Sequence, residues 1–75
     1  MDYKSRLTSD PDTMLGKPVV KGTRLTVELI LQKLADGYSG TELVSMYPGI
    51  EQADVEACLH YAAAMVASEE VIKAA

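Results

Sequence analysis

Lys17, Lys21 and Arg24 fall close together in the stretch KPVVKGTRLTVELIL, Lys17 to Leu31. Ammonium and guanidinium groups at this spacing, around a glycine, can hold phosphate: they neutralise its charge and release counterions. Gln52, further along, carries an amide able to read a base edge. Other residues suited to chemistry are few. Cys58 is the only cysteine and His60 the only histidine. Two positions apart on a helix, they point to different faces and form neither a metal pair nor a nucleophile–base pair. There is no glycine loop that cradles phosphate and no acid pair in a pocket-forming context. The sequence therefore predicts no catalytic residue, no metal and no cofactor, and a protein that is not an enzyme.

The charge distribution sharpens the question. The chain carries a formal charge of −4 over 75 residues. Residues 1–24 hold Lys4, Arg6, Lys17, Lys21 and Arg24 against Asp2, Asp10 and Asp12, whereas residues 25–75 hold Lys33 and Lys73 against eight acids. That polarity predicts a basic face and an acidic one. Glu51, Asp54 and Glu56 open the last helical segment with no Lys or Arg beside them, which opposes phosphate docking there. The basic hairpin is then the better nucleic-acid face, since a two-stranded ribbon fits the major groove. Arg24 has an alternative partner in Glu28, four residues on.

These residues must be positioned by a single domain, 1–75, with an arm and hairpin over 1–25, a helical core over 26–67 and a tail over 68–75. SDPDT, Ser9 to Thr13, is turn chemistry. Lys21-Gly22 suits a two-residue hairpin turn that would pair Val20 with Thr23, and Leu7-Thr8 can add a short strand. Thr26 suits an N-cap, and Val27, Ile30, Leu31 and Leu34 follow at helical period before Asp36-Gly37 ends the helix. Ser39 and Glu42 have capping-box spacing for a second helix that Pro48-Gly49 stops. A third helix starts near Glu51 or Gln52, with Val55, Leu59, Ala62 (or Ala63) and Val66 as its apolar stripe, and runs long because no glycine or proline interrupts it. The expected core is Val27, Ile30, Leu34, Leu43, Val44, Tyr47, Val55 and Leu59. The fold class is mainly α: a short N-terminal β-hairpin followed by a three-helix, helix-turn-helix-like bundle.

The segment LTSDPDTMLGKPVVKGTRLTVELILQKLADGYSGTELVSMYPGIEQADVEACLHYA, Leu7 to Ala62, resembles the domain-of-unknown-function 433 family of small prokaryotic proteins. The shared elements are DP followed by GKPVVKGTRL, then ADGYS, YPGI and CLHYA, and they span about three quarters of the chain. The chain departs from the family pattern in carrying Thr26 where proline is usual and Glu51 where Thr or Ser is usual. The resemblance implies a homeodomain-like or winged-helix-like fold. Many members are encoded beside PIN-like ribonuclease toxins, so it further implies an antitoxin that binds such a toxin and promoter DNA.

A small chain with one free cysteine gains stability most readily from a partner, so a homodimer is expected, through strand edges or the end of the third helix. Val66, Glu69, Glu70, Val71 and Ile72 lie beyond the needs of a three-helix core and read as a helix-in-groove ligand for a protein partner. The free thiol, the lack of an apolar leader and the lack of a membrane-spanning run lead to an expected cytoplasmic location without membrane contact. Three readings stay open on the residues alone: an antitoxin, a DNA-binding regulator without a toxin, and a structural homodimer.

Overall fold

Val19 and Val20 form the middle of a small sheet. In the computed structural model, which describes residues 2–12 and 14–68, β2 (Val19–Val20) pairs antiparallel with β1 (Leu7–Thr8), Leu7 opposite Val20 and Thr8 opposite Val19. On its other edge Val19 bridges to Thr26. The Val20 amide donates to Leu25 O at 3.0 Å and the Val27 amide to Pro18 O at 2.9 Å. A strand flanked on both sides is shielded from water, so both valines are buried. β-Branched residues suit this place because their stiff side chains pack well on a pleated surface.

The hairpin differs from the sequence expectation in register. Val20 opposite Thr23 would have set Val19 against Arg24, but Val19 lies against Thr26, so two more residues enter the loop. The β-turn itself is present: the Thr23 amide donates to Val20 O at 3.0 Å, and Gly22 takes φ +78°. The Thr23 hydroxyl also donates to Val20 O at 2.8 Å and accepts from the Leu25 amide at 3.0 Å. That second bond shapes the longer loop. The Leu7–Thr8 strand forms as expected.

α1 (Val27–Ala35) starts at Thr26, whose hydroxyl accepts from the Leu29 amide at 3.0 Å. It ends where Gly37 takes φ +101° and the Gly37 and Tyr38 amides donate back to Leu34 O and Lys33 O. This is a Schellman stop. α2 (Gly40–Met46) carries the predicted capping box: the Ser39 amide donates to Glu42 Oε1 at 3.0 Å and the Glu42 amide to Ser39 Oγ at 3.1 Å. α3 (Gln52–Ser68) is a single unbroken helix up to the last described residue.

The core gathers Leu7, Val20, Val27, Ile30, Leu43, Ile50, Val55, Ala57 and Cys58, with Leu31, Leu34, Val44 and Tyr47 half-buried against it. The expected phase of α1 holds. The phase of α3 does not. Its buried residues are Asp54, Val55, Ala57 and Cys58, while Leu59 is 48% exposed and Val66 68%. The helix is rotated toward Asp54 and Ala57, and the apolar stripe read from the sequence faces outward beyond Val55. The short helical turn Tyr3–Ser5 covers α3 from the N-terminal side, with the Tyr3 and Tyr61 rings edge to face at 5.7 Å between centroids.

One segment departs from ordinary backbone geometry. Met14, Leu15 and Gly16 all take left-handed angles, φ 49°, 59° and 79°, in a turn closed by the Lys17 amide on Met14 O at 3.1 Å. Glycine adopts this region freely, but each non-glycine residue there costs about 1–2 kcal/mol.

Candidate nucleic-acid and partner surfaces

The basic residues separate into free and engaged groups. Lys21 and Arg24 stand exposed on the loop that Gly22 and Thr23 shape, and neither has an ion-pair partner among the described residues. Lys17 is engaged: its Nζ donates to Glu28 Oε1 at 2.7 Å. That hydrogen bond, and then the ammonium charge, hold the Glu28 carboxyl below its ordinary pKa. Glu28 therefore pairs with Lys17 and not with Arg24. Both partners are exposed, and an exposed pair of this kind contributes little to stability. A phosphate can compete for Lys17.

Arg6 is the second engaged residue, and sequence reasoning missed its role. Its Nη1 donates to Asp54 Oδ1 at 3.1 Å and to Glu51 Oε2 at 3.2 Å. The bond to Asp54, then the bond to Glu51, raise the guanidinium pKa above its ordinary value. Asp54 also caps α3, its Oδ2 accepting from the Glu51 amide at 2.8 Å. Glu51 and Asp54 thus have structural work: both pair with Arg6, and Asp54 satisfies an orphan helix amide. Asp54 is buried with all its needs met, since among the described residues no buried side-chain polar atom lacks a partner. The available signal was Asp54 three residues after Glu51, the second half of a capping box.

Gln52 is exposed at the first turn of α3, but its side-chain amide lies across Gly40. A Cβ built on Gly40 would sit 2.6 Å from Gln52 Nε2. In this rotamer the Gln52 amide occupies the space that a side chain at position 40 would take. Gln52 must leave that position before it can reach a base.

The partner-binding residues expected at the end of the chain divide in the same way. Val66 is exposed, and with Leu59 and Ala63 it forms an apolar stripe along the outer side of α3. Leu59, Ala63 and Val66 are spaced four and three residues apart, so they share one face. Gln52 and Glu56, four and three residues apart in the same series, continue this face toward the start of α3. Glu69, Glu70, Val71 and Ile72 lie outside the described residues.

Cys58 is fully buried, and burial, aided by the nearby Asp54 charge, pushes its thiol from 9.0 up to about 11. A thiol so disposed is a small core residue and a poor nucleophile. His60 is exposed on α3. Among the described residues no group of three His, Cys, Asp or Glu is arranged to hold a metal ion, and no helix is long and apolar enough to cross a membrane.

Comparison with known proteins gives one match. The model of a family described as a protein of unknown function (DUF433) matches residues 7–62. No curated protein and no solved structure matches.

Proposed function

Since the chain belongs to the DUF433 family, whose function is unknown, we propose a function from its surfaces together with what the resemblance implies: a non-enzymatic antitoxin that occupies a PIN-like ribonuclease toxin through the outer face of α3 and the residues that follow it in the sequence. The observation that carries this reading is the stripe Leu59, Ala63 and Val66, exposed on α3 and uncovered among the described residues. Burying leucine or valine completely stabilises a complex by about 1.5–3 kcal/mol per side chain. The residues beside the stripe are acidic or neutral, and Glu69 and Glu70 follow in the sequence. A nuclease presents positive charge to RNA, so an acidic-flanked apolar helix is a chemically apt ligand for a basic-rimmed groove. Carboxylates in that rim speed encounter and set orientation, while Leu59 and Val66 supply the buried area.

Promoter binding belongs to the same proposal, through Lys21 and Arg24 with Lys17 in support. The cytoplasm, where both a ribonuclease toxin and a promoter are found, is the proposed location. The second reading is a DNA-binding regulator without a toxin. It is favoured by Lys21 and Arg24 standing exposed and unpaired with any described acid on a loop rigidified by Thr23.

The test is co-purification with the nuclease encoded in the adjoining reading frame. The double variant Leu59→Glu, Val66→Glu keeps the core intact, because both side chains are exposed. The expected result is loss of the complex with unchanged circular dichroism. Wild-type binding by the folded double variant would overturn the role of this face. Absence of any nuclease complex with the wild-type chain, together with promoter binding, would favour the regulator.

A further inference from the structure

The left-handed turn at Met14–Gly16 presents a leucine to water. Leu15 is 94% exposed, although its backbone is held in a conformation that leucine rarely takes. Among the described residues this side chain covers no neighbour. A glycine or asparagine would hold the same backbone with less strain.

Beside the turn lies a shallow groove of about 290 Å³, lined by Met14, Lys17, Thr26, Glu28, Leu29 and Gln32. Its floor is largely aliphatic, and its rim carries one cation and one anion, Lys17 and Glu28, 2.7 Å apart. An unsupported leucine and an aliphatic recess therefore lie on one patch of one chain, linked by the adjacent residue Met14.

We propose that this patch is a two-fold contact between copies of the chain, in which Leu15 of each copy enters the Met14–Leu29 groove of the other. Two observations select a second copy as the occupant. The first is shape: a projecting side chain and a recess on one patch satisfy each other reciprocally under two-fold symmetry, which is the requirement of an isologous interface. The second is charge. The chain is acidic overall, at −4, so copies repel except where the surface is locally neutral. The Lys17–Glu28 rim is neutral and bears both signs, so two-fold apposition sets each lysine near the partner's glutamate. The other candidate surfaces lack this property. Two copies of the Lys21–Arg24 loop would bring cation to cation, and the Leu59–Val66 stripe carries Glu56 at its end with no Lys or Arg on α3 to pair with it across a two-fold. The stripe is thereby left for a basic partner, and the turn for self-association. This contact shares no residue with the toxin-binding face of α3, and of the proposed promoter contacts it uses only Lys17.

Sedimentation velocity of the full chain across the micromolar to millimolar range reads the contact directly. The wild type should pass from monomer to dimer with rising concentration. Leu15→Asn keeps the left-handed backbone accessible and removes the projecting group, so it should stay folded and weaken the dimer by at least about tenfold. Lys17→Glu alone and Glu28→Lys alone should each impair self-association, because each gives the rim a single sign. Their equimolar mixture should recover a mixed dimer, since each rim then meets the opposite sign. A wild type that remains monomeric throughout, a Leu15→Asn dimer as tight as the wild type, or a mixture no better associated than its components would overturn the proposal.

Discussion

Arg6 and Asp54 meet at 3.1 Å, joining the N-terminal arm to the first turn of α3. Asp54 makes this bond with one oxygen and caps the Glu51 amide with the other. Two of the three acids that open α3, Glu51 and Asp54, are therefore partners of a structural arginine. Asp54→Ala should lower stability by about 1 kcal/mol or more, through the lost cap and the lost pair. Asp54→Asn should cost less, since its amide oxygen can still accept from Glu51. Urea unfolding of the two variants checks this. Equal and negligible losses would mean that the network does not support the fold.

The rotation of α3 gives a second prediction. Ile30→Ala or Leu43→Ala should each cost about 2–5 kcal/mol, as both side chains are wholly buried. Leu59→Ala should fall within about 1 kcal/mol of the wild type, because its side chain is half in water. Chemical denaturation measures all three. A Leu59→Ala loss as large as that of Leu43→Ala would restore the helix phase read from the sequence.

Cys58 supplies a pH dependence. Its pKa is raised from 9.0 to about 11 in the folded chain. Below pH 9 the thiol is protonated in both states, and its contribution to stability is fully present. Between pH 9 and about 11 the unfolded chain loses this proton while the folded chain retains it, so stability falls as pH rises. Cys58→Ala removes that part of the slope. Unfolding free energies of both proteins from pH 8 to 11 should therefore converge at the alkaline end. Parallel curves would contradict the assignment.

For nucleic acid, Lys21→Ala and Arg24→Ala should each weaken promoter binding and reduce the salt slope by about one unit. Lys17→Ala should do less, because Glu28 competes for it in the free chain. Neutralising Glu51 should leave affinity unchanged or raise it. Fluorescence anisotropy with the upstream DNA, at several salt concentrations, separates these. If Gln52→Ala abolishes binding while Lys21→Ala and Arg24→Ala do not alter it, α3 is the reading element and the loop is not.

The helix boundaries were legible in the sequence because their signals are local. Thr26, Gly37 and the Ser39–Glu42 pair act on amides and carbonyls within one turn. The phase of α3 was not legible. Ala53, Ala57, Ala62, Ala63 and Ala64 place apolar groups on all sides of that helix, so its periodicity did not choose a face. The β-turn was readable from Lys21-Gly22, yet its register was not, because Thr23 ties the loop by side-chain bonds that a spacing rule omits. The engagement of Lys17 and Arg6 escaped for a different reason. Their partners lie 11 and 45–48 residues away, where pairing depends on how finished elements pack. As a result, exposed Lys21 and Arg24 could be told from engaged Lys17 only once the fold was in hand.

The clasp between Arg6 and α3 also orders events in time. It closes a loop of 48 residues, whereas the β2 turn and the α1 and α2 caps each close within a few. Long closures lose more chain entropy and wait for their partner to exist. During synthesis Arg6 and the Tyr3–Ser5 turn emerge first, yet their partners on α3 emerge after almost everything else. We therefore expect the arm to dock last on refolding and to leave first under denaturant. Stopped-flow refolding would show it as a delay of Tyr3–Tyr61 fluorescence behind the far-ultraviolet signal of the helices, and simultaneous phases would exclude that order.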